Sequence, residues 1–140
     1  MNSGDNAQPF EWSIRVYYED TDAGGVVFYA NYLKFMERAR TEYLRELGFE
    51  QDVLAEQGMI FAVHRAEIDY LKPAKFNEAL VVSAEITQQK KVSLTFNQEV
   101  RRENGEICSK AVIKIVCINN QTFRPQAIPE DILRKLTNER

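Results

Sequence analysis

The hydrophobic positions of the chain change period along the sequence, and each change marks a new type of element. From Trp12 to Tyr18 they recur at every second residue, which predicts a half-buried strand. From about Asn31 to Leu47 they recur at helical spacing, which predicts a long amphipathic helix. The apolar stripe of this helix comprises Tyr32, Met36, Ala39, Tyr43 and Leu47, with Leu33, Phe35 and Leu44 beside it.

The remainder of the chain returns mainly to period two. Gly48 is placed to end the long helix, and a short second helix is expected over residues 49–58. Asn104-Gly105 is the strongest hairpin signal, and a last short helix is expected after Pro129. Alternation predicts further strands over residues 60–71, 79–88, 92–100 and 107–118. This order indicates an α+β protein with an antiparallel sheet of about five strands around one long helix.

Such a sheet has a second face and two edges, which also need protection. Four apolar residues fall at positions that simple alternation places on that second face: Val81, Val112, Val116 and Ile118. We therefore expect an oligomer that covers part of this surface.

Length and composition limit the possible classes of protein. The 140 residues, 44% hydrophobic and 28% charged, suit one globular domain, which we expect over residues 12–140 after a disordered tail over residues 1–11. The N-terminus lacks the features of a signal peptide, and no apolar run is long enough to span a membrane. The net charge of −3 argues weakly against binding to nucleic acid.

Cysteine and histidine are too scarce for a metal cluster. Cys108 and Cys117 are nine positions apart in one predicted strand, so they face opposite sides and are interpreted as buried free thiols of a reducing compartment. His64 is the only histidine. A zinc site is therefore not expected, and His64 is interpreted as structural rather than catalytic.

The segment "YYEDTDAGGVVFYANY", residues 17–32, carries the candidate chemistry. Three acids, Glu19, Asp20 and Asp22, lie within four positions and precede Gly24 and Gly25. An ordinary strand-to-helix turn explains the residue types. A calcium-binding loop does not fit these residues, because Gly24 falls where a third ligand belongs and Asn31 falls where a bidentate glutamate is needed. A DxD phosphotransferase would need a larger parallel sheet and a lysine for phosphate.

A catalytic interpretation uses two groups from this segment. Asp22 supplies a carboxylate, and backbone N–H groups near Tyr29, at the start of the helix, are free to donate to an oxyanion. Gly24 and Gly25 let a substrate carbonyl approach the backbone. The carboxylate can attack an activated acyl carbon or deprotonate a water. A thioester suits this apparatus because thiolate is a good leaving group.

The stretch Arg15–Gly48, "RVYYEDTDAGGVVFYANYLKFMERARTEYLRELG", resembles the signature of hotdog-fold acyl-CoA thioesterases. It is most similar to the para-hydroxybenzoyl-CoA thioesterase-like family, in particular its Tol–Pal-associated branch. The weaker resemblance extends over about residues 12–132. It implies a hotdog fold, a dimer or tetramer with active sites at the subunit interface, and no cofactor or metal.

By position in that family, Asp22 matches the catalytic aspartate, and the backbone amide of Tyr29 matches the group that polarises the thioester carbonyl. The Tol–Pal branch usually has histidine where this chain has Tyr29, whereas relatives with aromatic substrates can have tyrosine. A role for the backbone amide survives this difference, but a role for an imidazole does not.

Further candidates lie outside the motif. Lys90 and Lys91, followed by Ser93, form either a solvated basic turn or a clamp for the phosphates of CoA; the family has basic residues at corresponding positions. Arg124 is a weaker third contact. On the helix, Glu37 and Arg40 have the spacing of an i,i+3 ion pair.

We therefore expect a cytoplasmic acyl-CoA thioesterase that releases free acid and CoA, with acyl carrier protein as a second expected partner. Two alternatives remain open. One is a protein that binds acyl-CoA or acyl carrier protein without turnover, or an adaptor at the envelope. The other is an enoyl-thioester hydratase or dehydratase, which is disfavoured because the motif contains no histidine.

Overall fold

The computed structural model describes residues 9–139, so residues 1–8 of the expected N-terminal tail lie outside the described residues. The helices are α1 (Asn31–Glu46), α2 (Gln51–Glu56) and α3 (Glu130–Glu139). The strands are β1 (Phe10–Arg15), β2 (Met59–Tyr70), β3 (Ala79–Gln89), β4 (Ser93–Arg102) and β5 (Ile107–Asn119). No helix among these residues is both long and apolar enough to cross a membrane.

All five strands form one sheet in the order β1-β3-β4-β5-β2, and all pairs are antiparallel. Helix α1 packs on one face, so the expected α+β architecture of one long helix on a five-stranded antiparallel sheet is confirmed. The turn between β4 and β5 contains Gly105 with φ +94°, as the Asn-Gly signal predicts. Strands β1 and β2 are the two edges of the sheet.

The predicted apolar stripe of α1 is buried against the sheet. Phe35, Met36 and Leu44 are completely buried, and the five residues of the stripe are all buried. Gly48 lies two residues after the end of α1, and its φ of +99° and the hydrogen bond from its N–H to the carbonyl of Arg45 are typical of a left-handed C-terminal cap. One charged residue, Arg40, lies among the buried positions, which the hydrophobic pattern did not predict.

Strand β1 differs from the expected strand at both ends. It begins at Phe10, whose ring stacks on Tyr43 of α1 at 5.3 Å. It ends at Arg15, and Tyr18–Asp20 forms a short 3₁₀ turn. The prediction that the strand reaches Tyr18 was therefore wrong: the Tyr18 side chain is 78% exposed, because the chain leaves the sheet to make this turn.

The second face of the sheet exposes the apolar side chains that alternation places there. Val112 is exposed, and Val81, Val116 and Ile118 are half-buried. Edge strand β2 is also open over five consecutive exposed residues, 63–67. A strand edge of this length presents unpaired backbone groups that can pair with another chain.

Both cysteines are buried free thiols, as the sequence predicts. Burial raises the pKa of the Cys117 thiol to about 11, and burial also raises the pKa of Cys108. The reactive thiolate is therefore scarce at neutral pH. We expect a thiol reagent such as Ellman's reagent to leave both cysteines unmodified in the native protein at about pH 7.5, and to modify both at once in denaturant. Fast modification of the native protein would contradict this packing.

Candidate active site

The loop between β1 and α1 is folded back on itself, and this arrangement positions the motif. Backbone bonds join Asp22 N–H to the carbonyl of Val26 (2.9 Å) and Phe28 N–H to the carbonyl of Asp20 (2.8 Å). Val27 donates to the carbonyl of Ala74 (2.8 Å), which ties the loop to the segment after β2. The loop therefore holds its acids and the start of α1 in a fixed relation.

The acids of the motif have different environments. Asp20 is only 4% exposed, and its carboxylate accepts hydrogen bonds from Tyr17 N–H (2.8 Å) and from the side-chain amide of Asn31 (2.9 Å). Asp20 thus fixes the 3₁₀ turn and the first residue of α1. Glu19 and Asp22 are exposed. The ordinary-turn interpretation therefore accounts for Asp20, and Asp22 remains available to a substrate.

Asp22 opens a tight turn made by the two glycines. Gly25 N–H donates to the carbonyl of Asp22 (3.0 Å), and Gly24 N–H donates to the Asp22 Oδ1 atom (2.8 Å). Gly25 has φ +81°, which favours glycine. A Cβ atom at Gly24 would lie 3.3 Å from Asp22 Oδ1. Gly24 therefore leaves space around the carboxylate, and only one carboxylate oxygen is engaged by the turn.

Tyr29 lies in a second turn that leads into α1. Asn31 N–H donates to the carbonyl of Phe28 (2.8 Å), and Ala30 has φ −71° and ψ −19°, so residues 28–31 form a type I turn. Tyr29 occupies the second position of this turn. Its backbone N–H has no acceptor among residues 9–139. It is therefore a free donor next to the N-terminus of α1, where the helix dipole favours negative charge.

The side chain of Tyr29 contacts other aromatic rings. The ring of Tyr29, which is 63% exposed, lies 4.7 Å from that of Phe28 and meets Tyr70 edge-on at 6.1 Å. Tyr18 and Phe76 stack at 4.4 Å on the same loop system. Tyr70, at the end of β2, was missed as a site residue because its contact with Tyr29 depends on the fold. The exposed rings of Phe28, Tyr29 and Tyr70 together form an aromatic surface suited to an acyl group.

The phenol of Tyr70 is protonated at neutral pH. Burial raises its pKa, and the neighbouring Tyr29 phenol raises it further. Tyr70 is therefore a neutral hydrogen-bond donor beside the candidate site, and it does not act as a base.

The other predicted substrate-binding residues lie together, but at the far end of the sheet. Lys90 and Lys91 are exposed in the β3–β4 turn, and the carbonyl of Lys91 accepts from Ile128 N–H (2.9 Å). Ser93, at the start of β4, is only 4% exposed. Arg124 is exposed in the adjoining segment, where its carbonyl accepts from Asn119 N–H (2.9 Å).

The strand register gives the separation between the two groups. Ser93 pairs with Val116 of β5, and Tyr70, which contacts Tyr29, pairs with Ser109 of the same strand. The intervening steps along β5 correspond to about 23 Å. Within one chain, the basic turn and Asp22 therefore do not form a common site.

The single histidine is also remote from Asp22. His64 is exposed, at the bulge where β2 shifts register between Val63 and Arg65. It lies about 20 Å along the strand from Tyr70. No group of three or more potential metal ligands from His, Cys, Asp or Glu occurs among the described side chains, residues 9–137. The candidate chemistry therefore rests on Asp22 and the free backbone donor.

Comparison with known proteins agrees with this fold and motif. The family model described as the thioesterase superfamily matches residues 24–109. The chain belongs to this superfamily: it is a thioester hydrolase with the hotdog fold, as expected from the Arg15–Gly48 stretch.

Individual relatives match over almost their whole length. The chain is 45% identical over 124 residues to the acyl-CoA thioesterase YbgC of Haemophilus influenzae, covering 88% of this chain and 90% of the relative. It is 39% identical over 128 residues to the acyl-CoA thioester hydrolase YbgC of Escherichia coli O6:H1, covering 91% and 96%. The crystal structure of a probable thioesterase from Bartonella henselae is 31% identical with a TM-score of 0.82, covering 87% of this chain and all of that one.

Proposed function

We propose that Asp22 and the backbone N–H of Tyr29 hydrolyse an acyl-CoA thioester to a free acid and CoA. The observation that carries this assignment is that one folded loop presents an exposed carboxylate and an unpaired N–H donor beside an apolar, aromatic surface. Acyl-CoA hydrolysis is also the activity named for the relatives from H. influenzae and E. coli.

The steps follow from these two groups. The thioester carbonyl accepts a hydrogen bond from Tyr29 N–H, which stabilises the oxyanion formed when the carbonyl carbon is attacked. Asp22 either attacks that carbon itself, giving an anhydride that water then opens, or takes a proton from an attacking water. The C–S bond breaks in the same way in both routes. The sulfur leaves as the CoA thiolate and takes up a proton, and the acyl group leaves as the acid.

A complete site requires a second copy of the chain. Antiparallel pairing of two β2 edges places the Met59 end of one strand next to the Tyr70 end of the other. The basic turn at Lys90 and Lys91 belongs to the Met59 end, because Ser93, Val116 and Ala62 lie side by side on β4, β5 and β2. Pairing therefore brings the turn of one copy towards Asp22 of the other. We propose a dimer of this kind, or a tetramer built from it, with the active site at the interface.

The lysines give a first test of the CoA-binding part of this proposal. We expect the double variant Lys90→Ala/Lys91→Ala to raise KM for acyl-CoA and to leave kcat near the wild-type value, because phosphate contacts far from the reacting carbon contribute uniform binding. The increase in KM shrinks with added salt, since both lysines are exposed. It also shrinks for acyl-pantetheine, which lacks the nucleotide phosphates. An equal increase for acyl-pantetheine would refute the phosphate clamp.

Mixing two inactive or weakened variants tests whether the clamp acts across the interface. A mixed dimer of Asp22→Asn with Lys90→Ala/Lys91→Ala contains one site with both Asp22 and an intact lysine turn, provided that these come from different copies. We expect this mixture to recover the wild-type KM in part of its sites after the subunits exchange. If the high KM persists in a verified mixed dimer, the lysines act on the site of their own chain or not at all.

Three finer assignments belong to the same proposal. The Arg15–Gly48 motif supports membership of the Tol–Pal-associated branch, with Tyr29 as a departure from its usual histidine. The exposed cations Lys90, Lys91 and Arg124 suit the phosphates of CoA or an acidic acyl carrier protein. Two buried free thiols suit a reducing compartment, which supports a cytoplasmic location.

A further inference from the structure

Arg40 is a buried cation that makes no ion pair with the described side chains of its own chain, residues 9–137. The residue is 7% exposed, and its guanidinium donates a hydrogen bond to the neutral side-chain oxygen of Gln98 (2.8 Å). Gln98 is itself fixed by bonds to the carbonyls of Met36 (3.0 Å) and Ser83 (3.1 Å). No carboxylate of the described residues lies within 4.0 Å of the guanidinium, so the expected i,i+3 pair with Glu37 is not formed.

An uncompensated buried charge is unfavourable. Transfer of an ion from water to a protein interior is strongly unfavourable unless an opposite charge or several hydrogen bonds compensate it. Burial lowers the pKa of Arg40, and the nearby Glu37 carboxylate counteracts only part of this effect. Arginine nevertheless remains charged at neutral pH. An anion from outside the chain would therefore stabilise Arg40.

Arg40 lines a groove through which such an anion can approach it. This groove, about 280 Å³, runs between α1 and the open edge of the sheet. Arg40, Glu37 and Lys34 contribute its polar groups. Its apolar walls are Leu33, Val63, Ala66 and Ile113. The groove is therefore open towards the same β2 edge on which the proposed dimer depends.

The centre of the groove and the centre of the exposed strand coincide. Val63 and Ala66 line the groove, and the exposed run of β2, residues 63–67, is centred on Arg65. A twofold axis perpendicular to the sheet at this point makes both β2 and α1 antiparallel to their copies. The same axis turns the groove-lining face of α1, on which Glu37 and Arg40 are about one helical turn apart, towards the corresponding face of the copy.

We propose that Glu37 of a second copy supplies the counter-charge for Arg40, and that these two reciprocal ion pairs select the dimer; this inference rests on the β2 pairing proposed above. In a twofold interface, a contact from one residue to another occurs twice, once in each direction. Glu37 is exposed within its own chain and so is free to make it. The apolar walls exclude water from both pairs, which strengthens them and penalises a mismatched partner.

Charge reversal on one side tests the pairing. Glu37→Arg sets a second guanidinium against Arg40 of the other copy at both contacts. We expect the dimer dissociation constant, measured by sedimentation equilibrium, to rise at least about tenfold. Glu46→Arg is the matched control, because it makes the same change of charge on an exposed position of the opposite face of α1. An unchanged dissociation constant for Glu37→Arg, or an equal increase for Glu46→Arg, would overturn the proposal.

A mixture of opposite variants separates contacts between chains from contacts within one chain. Arg40→Glu alone places two glutamates opposite each other, whereas its mixture with Glu37→Arg restores an opposite charge at both contacts. We expect native mass spectrometry to show mainly the mixed dimer. If folded Arg40→Glu and Glu37→Arg remain unassociated when mixed, Glu37 is not the partner of Arg40.

A milder pair of variants decides the question if Arg40→Glu does not fold. In a double-mutant cycle with Glu37→Gln and Arg40→Met, the effects on dimer dissociation are non-additive if the two side chains interact, and additive if they do not. Thiol release is measured in parallel. A wild-type chain that is monomeric and still hydrolyses acyl-CoA would overturn this inference and leave thioester hydrolysis intact, whereas a dimer without hydrolysis would overturn the proposed function alone.

Discussion

Replacing Asp22 with asparagine is expected to leave the protein folded and to lower kcat at least about 100-fold. Asparagine can still accept the hydrogen bond that Gly24 N–H makes to Asp22 Oδ1, so the glycine turn is retained. The amide cannot act as a base and is a poor nucleophile. The measurement is CoA release from acyl-CoA at saturating substrate, with circular dichroism as the check on folding.

Glu19 provides the matched control for this variant. It is an exposed carboxylate three residues before Asp22, in the same acidic cluster. Glu19→Gln removes the same charge from the loop and is expected to retain near-native turnover. If Asp22→Asn and Glu19→Gln lose activity equally, the effect comes from the charge of the loop, and Asp22 has no specific chemical role.

Replacing Tyr29 with proline is expected to lower kcat by about 10²–10³-fold, because proline removes the N–H that stabilises the oxyanion. In this structure, proline at position 29 removes the N–H without removing a hydrogen bond of the fold. Tyr29 holds the second position of a type I turn, where proline is favoured, and its N–H has no acceptor among residues 9–139. The helical circular-dichroism signal should therefore remain, and the loss should appear in single-turnover hydrolysis.

Tyr29→Phe separates the backbone from the side chain. It keeps the N–H and the aromatic ring that meets Tyr70, so we expect a mild effect. A large loss of kcat in Tyr29→Phe with unchanged substrate binding would show that the phenol of Tyr29 contributes to catalysis.

The hydrophobic pattern was sufficient to predict the fold because most elements bury one face. The stripe of α1 and the strands after it were correct in type and within a few residues in extent. The pattern failed at Tyr18 because a hydrogen bond from Tyr17 N–H to the Asp20 carboxylate stabilises a turn where the alternation of apolar residues continues. It failed at Arg40 for a related reason, since a charged residue is assigned to the surface unless its partners are known.

The sequence predicted the residues of the candidate site, but it did not predict how far apart they lie in the fold. The motif placed Asp22, Gly24, Gly25 and Tyr29 on one loop, because their spacing is local. It could not place Lys90 and Lys91, which lie at the other end of the sheet, because that separation depends on strand register. Tyr70 was missed for the same reason: a tyrosine at the end of a strand carries no signal until the fold brings it to Tyr29.

Thioester hydrolysis at Asp22 is tested most directly by measuring CoA release from a panel of short, long and aromatic acyl-CoAs with the purified protein. We expect CoA and free acid from at least one of them, with turnover lost in Asp22→Asn under the same conditions. Binding of these substrates without release of thiol would instead identify a non-catalytic acyl-CoA binding protein. Water addition to an enoyl-CoA with the thioester intact would identify a hydratase, and either result would contradict hydrolysis by this site.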